Sequence, residues 1–208
     1  MSSTFEALFN ASNAVLSWDW DQRTFVDWLK KFEPAMQGRL RVLSVGACGD
    51  ILSEWLAGLG NDVTGVDWRA YTLSQADGGP DIPPDRTPNF KFIQGDFNVV
   101  EFEGGFDMAL ACSSIEHFGL GRWQDPVDPE GDAKAARRVL ACLKTGGLFA
   151  VSVPYHGETG LSADGTRHRY YSAQSLRERL LPAESYEVVD TVMGPAFGGE
   201  MFRVARKL

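Results

Sequence analysis

The stretch from Arg41 to Asp67, RVLSVGACGDILSEWLAGLGNDVTGVD, constrains the fold of this chain more than any other. An apolar run (Val42, Leu43, Val45) stops at the turn Gly46-Ala47-Cys48-Gly49. A helical pattern follows, with Ile51, Leu52, Trp55, Leu56 and Leu59 on one side; Asp50 is placed to cap its start and Gly60-Asn61 to stop it. A second apolar run, Val63 to Val66, ends in Asp67, about 20 residues beyond the turn. Strand, tight turn, helix and strand form one half of a nucleotide-binding α/β sheet. Its ligand lies at the carboxyl ends of the parallel strands, where the acid accepts hydrogen bonds from ribose hydroxyls. An adenosine-containing cofactor is implied.

The rest of the chain extends the alternation. Residues 5 to 33 read as helical and tryptophan-rich, with Trp18, Trp20 and Trp28 among Phe9, Phe25, Leu29 and Phe32, and Pro34 and Gly38 close them. Residues 1–38 are therefore expected as a helical cap on a domain spanning 39–208. The segment DGGPDIPPDRTP, 77–88, must be a loop. Further strands are expected at Phe90–Ile93, Phe106–Cys112 and Leu148–Val153, the last entered through Thr145-Gly146-Gly147. A helix is expected from about Glu130 to Lys144, and another over Ser172–Leu181, capped by Ser172. Tyr186–Val192 and Met201–Lys207, joined by a glycine-rich turn, suggest an antiparallel hairpin at one sheet edge.

At 208 residues, 44% hydrophobic and 23% charged, the chain suits one globular domain with a proper core. It holds no apolar run long enough for a membrane span. The opening lacks a basic segment followed by an apolar one, so no signal peptide is expected. A net charge of −8 argues against a nucleic-acid partner, whose phosphates attract clustered Lys and Arg. The three cysteines, Cys48, Cys112 and Cys142, include no CxxC pair and are expected as free thiols in the cytoplasm.

Five segments in order, VLSVGACGD, VTGVD, FIQGDF, FDMALACSSIEHFG and RRVLACLKTGGLFAVSVP, resemble the class I S-adenosylmethionine-dependent methyltransferases over residues 40 to 207. The wording SSIEHFGLGR, followed by DPVDPEGDAKA, resembles a poorly characterised bacterial methyltransferase-like subgroup, some of whose members are associated with sugar loci. The resemblance implies an α/β, Rossmann-like, seven-stranded and mostly parallel sheet, with helices on both faces and a C-terminal antiparallel β-hairpin. It also implies S-adenosyl-L-methionine as cofactor and a small-molecule acceptor methylated on O or N, a sugar or glycan precursor among the candidates. Two departures stand out: Ser44 where the family carries an acid, and only Gly46 and Gly49 of its usual three glycines.

Carried over by position, the resemblance gives Gly46, Ala47 and Gly49 as the close-approach loop. Asp67 would hold the ribose with Trp68 packing on the adenine, Asp96 the adenine amino group with Phe97 as an apolar wall, and Ser113 would line the methionine side. Glu116 and His117 follow the fourth strand directly, where an acceptor should meet the methyl group. A neutral imidazole there suits proton acceptance near neutrality, although a histidine at this position can also only orient a loop. Tyr155, His156, Arg167, His168 and Arg169 should arch over the strand ends and hold a polar or anionic acceptor; alternatively the arginines pair with Asp125 and Asp128. The acids Asp125, Asp128, Glu130 and Asp132 have the hardness for Mg²⁺ or Ca²⁺. Asp-Pro pairs are also ordinary turn formers, and Glu130 and Asp132 suit a helix first turn, so no metal site is assigned.

Two other functions compete with methyl transfer. The same fold without catalysis would serve as a binding or scaffold subunit, a reading favoured by Ser44 and the missing glycine. A nicotinamide dehydrogenase is disfavoured by the absent G-x-G-x-x-G and the terminal hairpin.

Overall fold

The computed structural model describes residues 24–25, 27–29, 39–48, 51–70, 89–163, 165, 168–194 and 199–208. Most of the expected cap over 1–38 lies outside them, as do Gly49, Asp50, Arg167 and the loop 77–88.

Short apolar runs bounded by glycine or acid become the parallel strands β1 (Arg41–Val45), β2 (Asp62–Asp67), β3 (Phe90–Gln94) and β4 (Phe106–Cys112). Helix α1 (Ile51–Gly58) crosses from β1 to β2, and α2 (Gly131–Cys142) from β4 to β5 (Leu143–Pro154). After β5 come a small antiparallel pair, β6 (Gly160–Leu161) and β7 (Arg169–Tyr170), and a helical turn α3 (Ala173–Ser175) that continues as a π-helix over Leu176–Leu180. Strands β8 (Tyr186–Met193) and β9 (Glu200–Lys207) finish the fold. The main sheet has seven strands in the order β3-β2-β1-β4-β5-β9-β8, parallel from β3 to β5 and antiparallel where β9 meets β5 and β8. The expected hairpin is thus the sheet edge.

Both faces are covered, because the strands carry apolar residues on both sides. Leu43, Val45, Ala109 and Val151 pack beneath Ala135, Val139, Leu176 and Leu180 on one face. On the other, Val42, Met108, Ala150, Phe202 and Val204 meet Leu52, Trp55 and Leu56 together with Phe25, Trp28 and Leu29. No helix among the described residues is long and apolar enough to cross a membrane.

Two local expectations differ. Strand β5 begins at Leu143 rather than Leu148, since the Thr145-Gly146-Gly147 segment stays in the sheet through an irregularity opposite Phe106 and Met108. The helix over 172–181 keeps its cap, Ser172 Oγ accepting from the Ser175 N–H at 3.2 Å, but is only one α-turn before the wider π-helix.

Candidate active site at the carboxyl ends of the strands

The turn after β1 is built by close contact. Gly46 has φ of +74°, and a Cβ on it would lie 2.4 Å from Ser114 Cβ, so only glycine fits. The Ser114 hydroxyl donates to the Val45 carbonyl at 2.6 Å, tying the tips of β1 and β4 together. The Gly46 and Ala47 N–H groups both donate to the Val66 carbonyl, and the Cys48 N–H donates to Asp67 Oδ2 at 2.9 Å. The Ala47 side chain is fully buried; a Cβ on Gly65 would come within 2.9 Å of it. Ala47 therefore seats the turn on β2 through its methyl group, which leaves only its main chain for the close approach expected of this loop.

Asp67 ends β2 at only 7% exposure, and each of its carboxylate oxygens has two partners. Oδ1 accepts from the Arg69 N–H at 2.8 Å and from Arg69 Nε at 3.3 Å; Oδ2 accepts from Cys48 and from Arg69 Nη2 at 3.4 Å. Trp68, beside it, is 37% exposed. The Asp67 carbonyl accepts from the Gly95 N–H at 2.8 Å, which sets Asp96 at the adjoining strand tip. Asp96 is half-buried, and its Oδ1 accepts from the Asn98 N–H. Phe97 departs from expectation: its ring turns into the core against Phe102 and Phe118, with the Arg138 guanidinium over it, so it forms no adenine wall.

The tip of β4 carries strain. Ser113 adopts φ of +40°, unusual for a residue with a Cβ, and its N–H donates to Ser152 Oγ at 2.9 Å. The 3₁₀ turn Ile115–His117 follows, with Glu116 buried and its Oε1 3.5 Å from His117 Nε2. Arg122 Nη1 lies 3.3 and 3.4 Å from the two ring nitrogens of His117. Near-equal distances set that guanidinium against the face of the imidazole, since an in-plane hydrogen bond would favour one nitrogen. Trp123 stands edge-on to His117 at 5.1 Å, with the guanidinium carbons of Arg69 and Arg122 over its ring at 4.4 and 4.5 Å.

The segment after β5 closes over this end. Tyr155 is half-buried against the core and its N–H donates to the Gly199 carbonyl; His156 is exposed, and its N–H donates to the Tyr171 carbonyl. His168 lies on the β6–β7 hairpin, 4.7 Å from the Tyr170 ring and 6.2 Å from His117. Arg169 has another task from the acceptor contact expected. Buried at 6% exposure, it donates through Nη1 to the carbonyls of Glu116 and Phe118, and through Nη2 to those of Asp128 and Pro129. Its Nε lies 3.7 Å from Asp132. It clamps the turn holding Glu116 and His117 onto the loop before α2.

The loop acids are likewise engaged within the protein. Asp125 accepts from the Gly121 and Trp123 N–H groups, and Asp128 pairs with Lys134 at 2.5 Å. Asp132, fully buried, accepts from the Tyr171 hydroxyl at 2.8 Å and from Arg179 at 2.6 and 2.9 Å, while Glu130 also pairs with Arg179. Burial pushes the Asp132 carboxyl up, but the Arg179 hydrogen bond, the Arg169 and Arg179 charges and the Tyr171 hydroxyl outweigh it, and the net shift is down. Burial raises the Tyr171 hydroxyl well above its ordinary value, and Asp132 adds to the rise. No group of three His, Cys, Asp or Glu side chains among the described residues is placed to hold a metal ion.

Sequence reasoning missed Arg69, Arg122, Trp123 and the joining of Asp132, Tyr171 and Arg179 in one group. Trp123 had a readable signal, since an aromatic residue flanked by arginine is out of place in a glycine- and proline-rich loop. Arg69 stands two residues from an acid, a local pairing also open to inspection. The Asp132 group joins residues 39 and 47 apart and has no local signature.

With the geometry in hand, comparison with known proteins gives three results. Residues 85–194, more than half of the chain, match the family described as Caenorhabditis protein of unknown function, DUF268. Over 97 residues the chain is 50% identical to a ubiquinone biosynthesis O-methyltransferase of Bordetella avium (strain 197N), covering 44% of this chain and 37% of that relative's length. Among solved structures, the Burkholderia thailandensis 1,6-didemethyltoxoflavin-N1-methyltransferase, holding 1,6-didemethyltoxoflavin and S-adenosylhomocysteine, aligns with a TM-score of 0.61 at 22% identity over 100% of this chain and 91% of its own. The [4+2]-cyclase SpnF aligns with a TM-score of 0.59 at 18% identity over 85% and 80%. The fold is that of the class I methyltransferases, and the cyclase shows that this fold also carries other chemistry.

Proposed function

The chain belongs to the DUF268 family, and we propose that it transfers a methyl group from S-adenosylmethionine to an oxygen or nitrogen of a small acceptor. One observation carries this reading: the Asp67 and Asp96 carboxylates, the Gly46 close-approach turn and the Glu116–His117 pair come from four strand tips at one end of the sheet. The half-identical match to an O-methyltransferase supports the same chemistry.

The residues present fit such a nucleoside. Asp67 takes the ribose hydroxyls and Asp96 the adenine amino group, with the Trp68 ring and the Phe97 main-chain N–H beside the base. Gly46 lets the backbone approach, and Ser113 lines the methionine side. For the ribose to reach Asp67, the Arg69 side chain must give up its two bonds of 3.3 and 3.4 Å. S-adenosylmethionine, when bound, supplies an electrophilic methyl group on a sulfonium whose leaving group is a neutral thioether. Little is then asked of the protein beyond positioning, exclusion of water and removal of one proton. His117 Nδ1 would take the proton of the acceptor whose electron pair receives the methyl group. Nε2 faces the buried Glu116 carboxylate at 3.5 Å, which stabilises the imidazolium that forms. Arg169 positions this pair through the carbonyls of residues 116 and 118.

A non-catalytic scaffold is the rival, and one specific observation favours it: Arg69 fills the carboxylate that the ribose needs. Titration calorimetry with S-adenosylhomocysteine separates the two. Methyl transfer requires a saturable heat, and none at about 1 mM ligand, the weak end of specific binding, overturns it.

A further inference from the structure

The chain has three histidines, and they come from three separate segments: His117 after β4, His156 after β5 and His168 at the hairpin. The fold sets all three in one row of rings with Trp123 and Tyr170. Centroid distances along the row are 5.1 Å from Trp123 to His117, 6.2 Å to His168, 4.7 Å to Tyr170 and 6.3 Å to His156. The interplanar angles, 86°, 79°, 76° and 63°, make every pair edge-to-face or close to it.

This row is not core. Phe25, Trp28 and Phe202 meet at similar angles on the far face of the sheet, and all three are buried. In the row, Trp123, His117, His168 and Tyr170 are half-buried and His156 is exposed. Rings left open to water add little to the hydrophobic core, and aromatic surface exposed beside a reaction centre is the ordinary form of a ligand site. The row is also held firmly, as a preorganised site must be. Its hairpin is anchored by the buried Tyr171, which bridges to Tyr155 and donates to Asp132, and by the Arg169 clamp.

We propose that the row is the acceptor platform, and that the acceptor is a flat aromatic or heteroaromatic ring carrying an acidic hydroxyl or ring N–H. This rests on the methyl-transfer reading above and names its substrate class. Guanidinium groups already lie over Trp123 and against His117, so the His168 and Tyr170 rings carry the platform, their crossed planes presenting a face beside a polar edge, the complement of a ring that also alternates a negative face with a positive edge. Arg122, against His117 and over Trp123, supplies positive charge for an anionic substituent. A saturated sugar needs converging acids instead. The acids of the adjoining loop, Asp125, Asp128 and Asp132, already serve the protein's own N–H groups and cations.

The test is saturation-transfer NMR on the full chain, with and without S-adenosylhomocysteine, using 3,4-dihydroxybenzoate, quinate (its saturated, hydroxylated counterpart) and methyl glucoside. The aromatic probe should bind in preference to both others. Tyr170→Leu and, separately, His168→Gln should each weaken it about fivefold, the scale of one aromatic contact. Two substitutions keep the test open if one variant fails to fold. Equal binding of quinate or methyl glucoside overturns the proposal, as does an affinity that neither substitution moves. Loss of S-adenosylhomocysteine binding alone would sink the donor reading while the ring preference stands or falls on its own.

Discussion

Asp67 and Asp132 are both buried carboxylates that face arginine, yet they hold it in different ways. Asp67 takes a guanidinium from two residues along the chain, through bonds of 3.3 and 3.4 Å, and that arginine is a third exposed. Asp132 takes Arg179 from 47 residues away at 2.6 and 2.9 Å, adds Tyr171 at 2.8 Å, and lies beside a second arginine. The first pairing is local and strained in length, and it closes no distant elements together. The second joins α2, β7 and the π-helix, with each polar atom matched. A carboxylate with a weakly placed local partner can exchange it for a ligand; one saturated from three elements is architecture.

The largest expected effect breaks the second arrangement. Asp132→Ala leaves the buried Tyr171 hydroxyl and the Arg169 guanidinium without their carboxylate and Arg179 with Glu130 alone, and should lower the unfolding free energy by about 3 to 5 kcal/mol. Denaturant titration reads it. A loss under about 1 kcal/mol, the scale of an exposed pair, would erase the distinction between the two acids.

Next in size, Asp67→Ala should weaken S-adenosylhomocysteine binding by about 1.5 to 3 kcal/mol, the scale of charge-assisted hydrogen bonds. Its unfolding free energy should fall by less than that of Asp132→Ala. An unchanged affinity removes Asp67 from the ribose role.

Acid sharpens the comparison further. The folded state lowers the Asp132 carboxyl below its unfolded value, so deprotonated Asp132 stabilises the fold fully above about pH 4. That contribution is lost as the pH falls through the lowered value. Thermal melts from pH 5 down to pH 2 should show the wild type losing more stability than Asp132→Asn, by at most about 1.4 kcal/mol for each unit of the shift. Parallel curves would mean that the carboxylate's charge is not what the buried group uses.

The sequence carried the sheet further than the site. Strands such as Phe106–Cys112 were legible because each apolar run is short and closed by glycine, serine or acid. Strand β5 was not legible at its start, since Gly146 and Gly147 read as a turn when only the partner strand shows an irregular pairing. The site divides in the same way. The positions of Asp67, Asp96 and His117 at or just past strand tips follow from where strands end. The inward turn of Phe97 and Ala47 does not, because the alternation that assigns faces stops at the strand tip. Arg169 looked like an acceptor contact from its company of histidine and tyrosine. Only the fold reveals the four carbonyls that its two terminal nitrogens meet.

The smallest expected effect is the most discriminating, because its sign decides. In the proposed site Arg69 competes with the ribose for Asp67; its guanidinium also lies over Trp123 at 4.4 Å. A partly exposed ion pair and one cation–π contact are each worth about 0.5 to 1 kcal/mol. Arg69→Met removes the competitor while keeping an unbranched side chain over the indole, so S-adenosylhomocysteine should bind about two- to fivefold tighter. The gain should shrink as salt is raised, since screening weakens the wild-type pair that the variant lacks. Weaker binding in the variant would mean that Arg69 holds the nucleoside itself. Asp67 would then share its arginine with the ligand, as Asp132 shares Arg179 with Tyr171, and the contrast between the two acids would fail at the active end of the sheet.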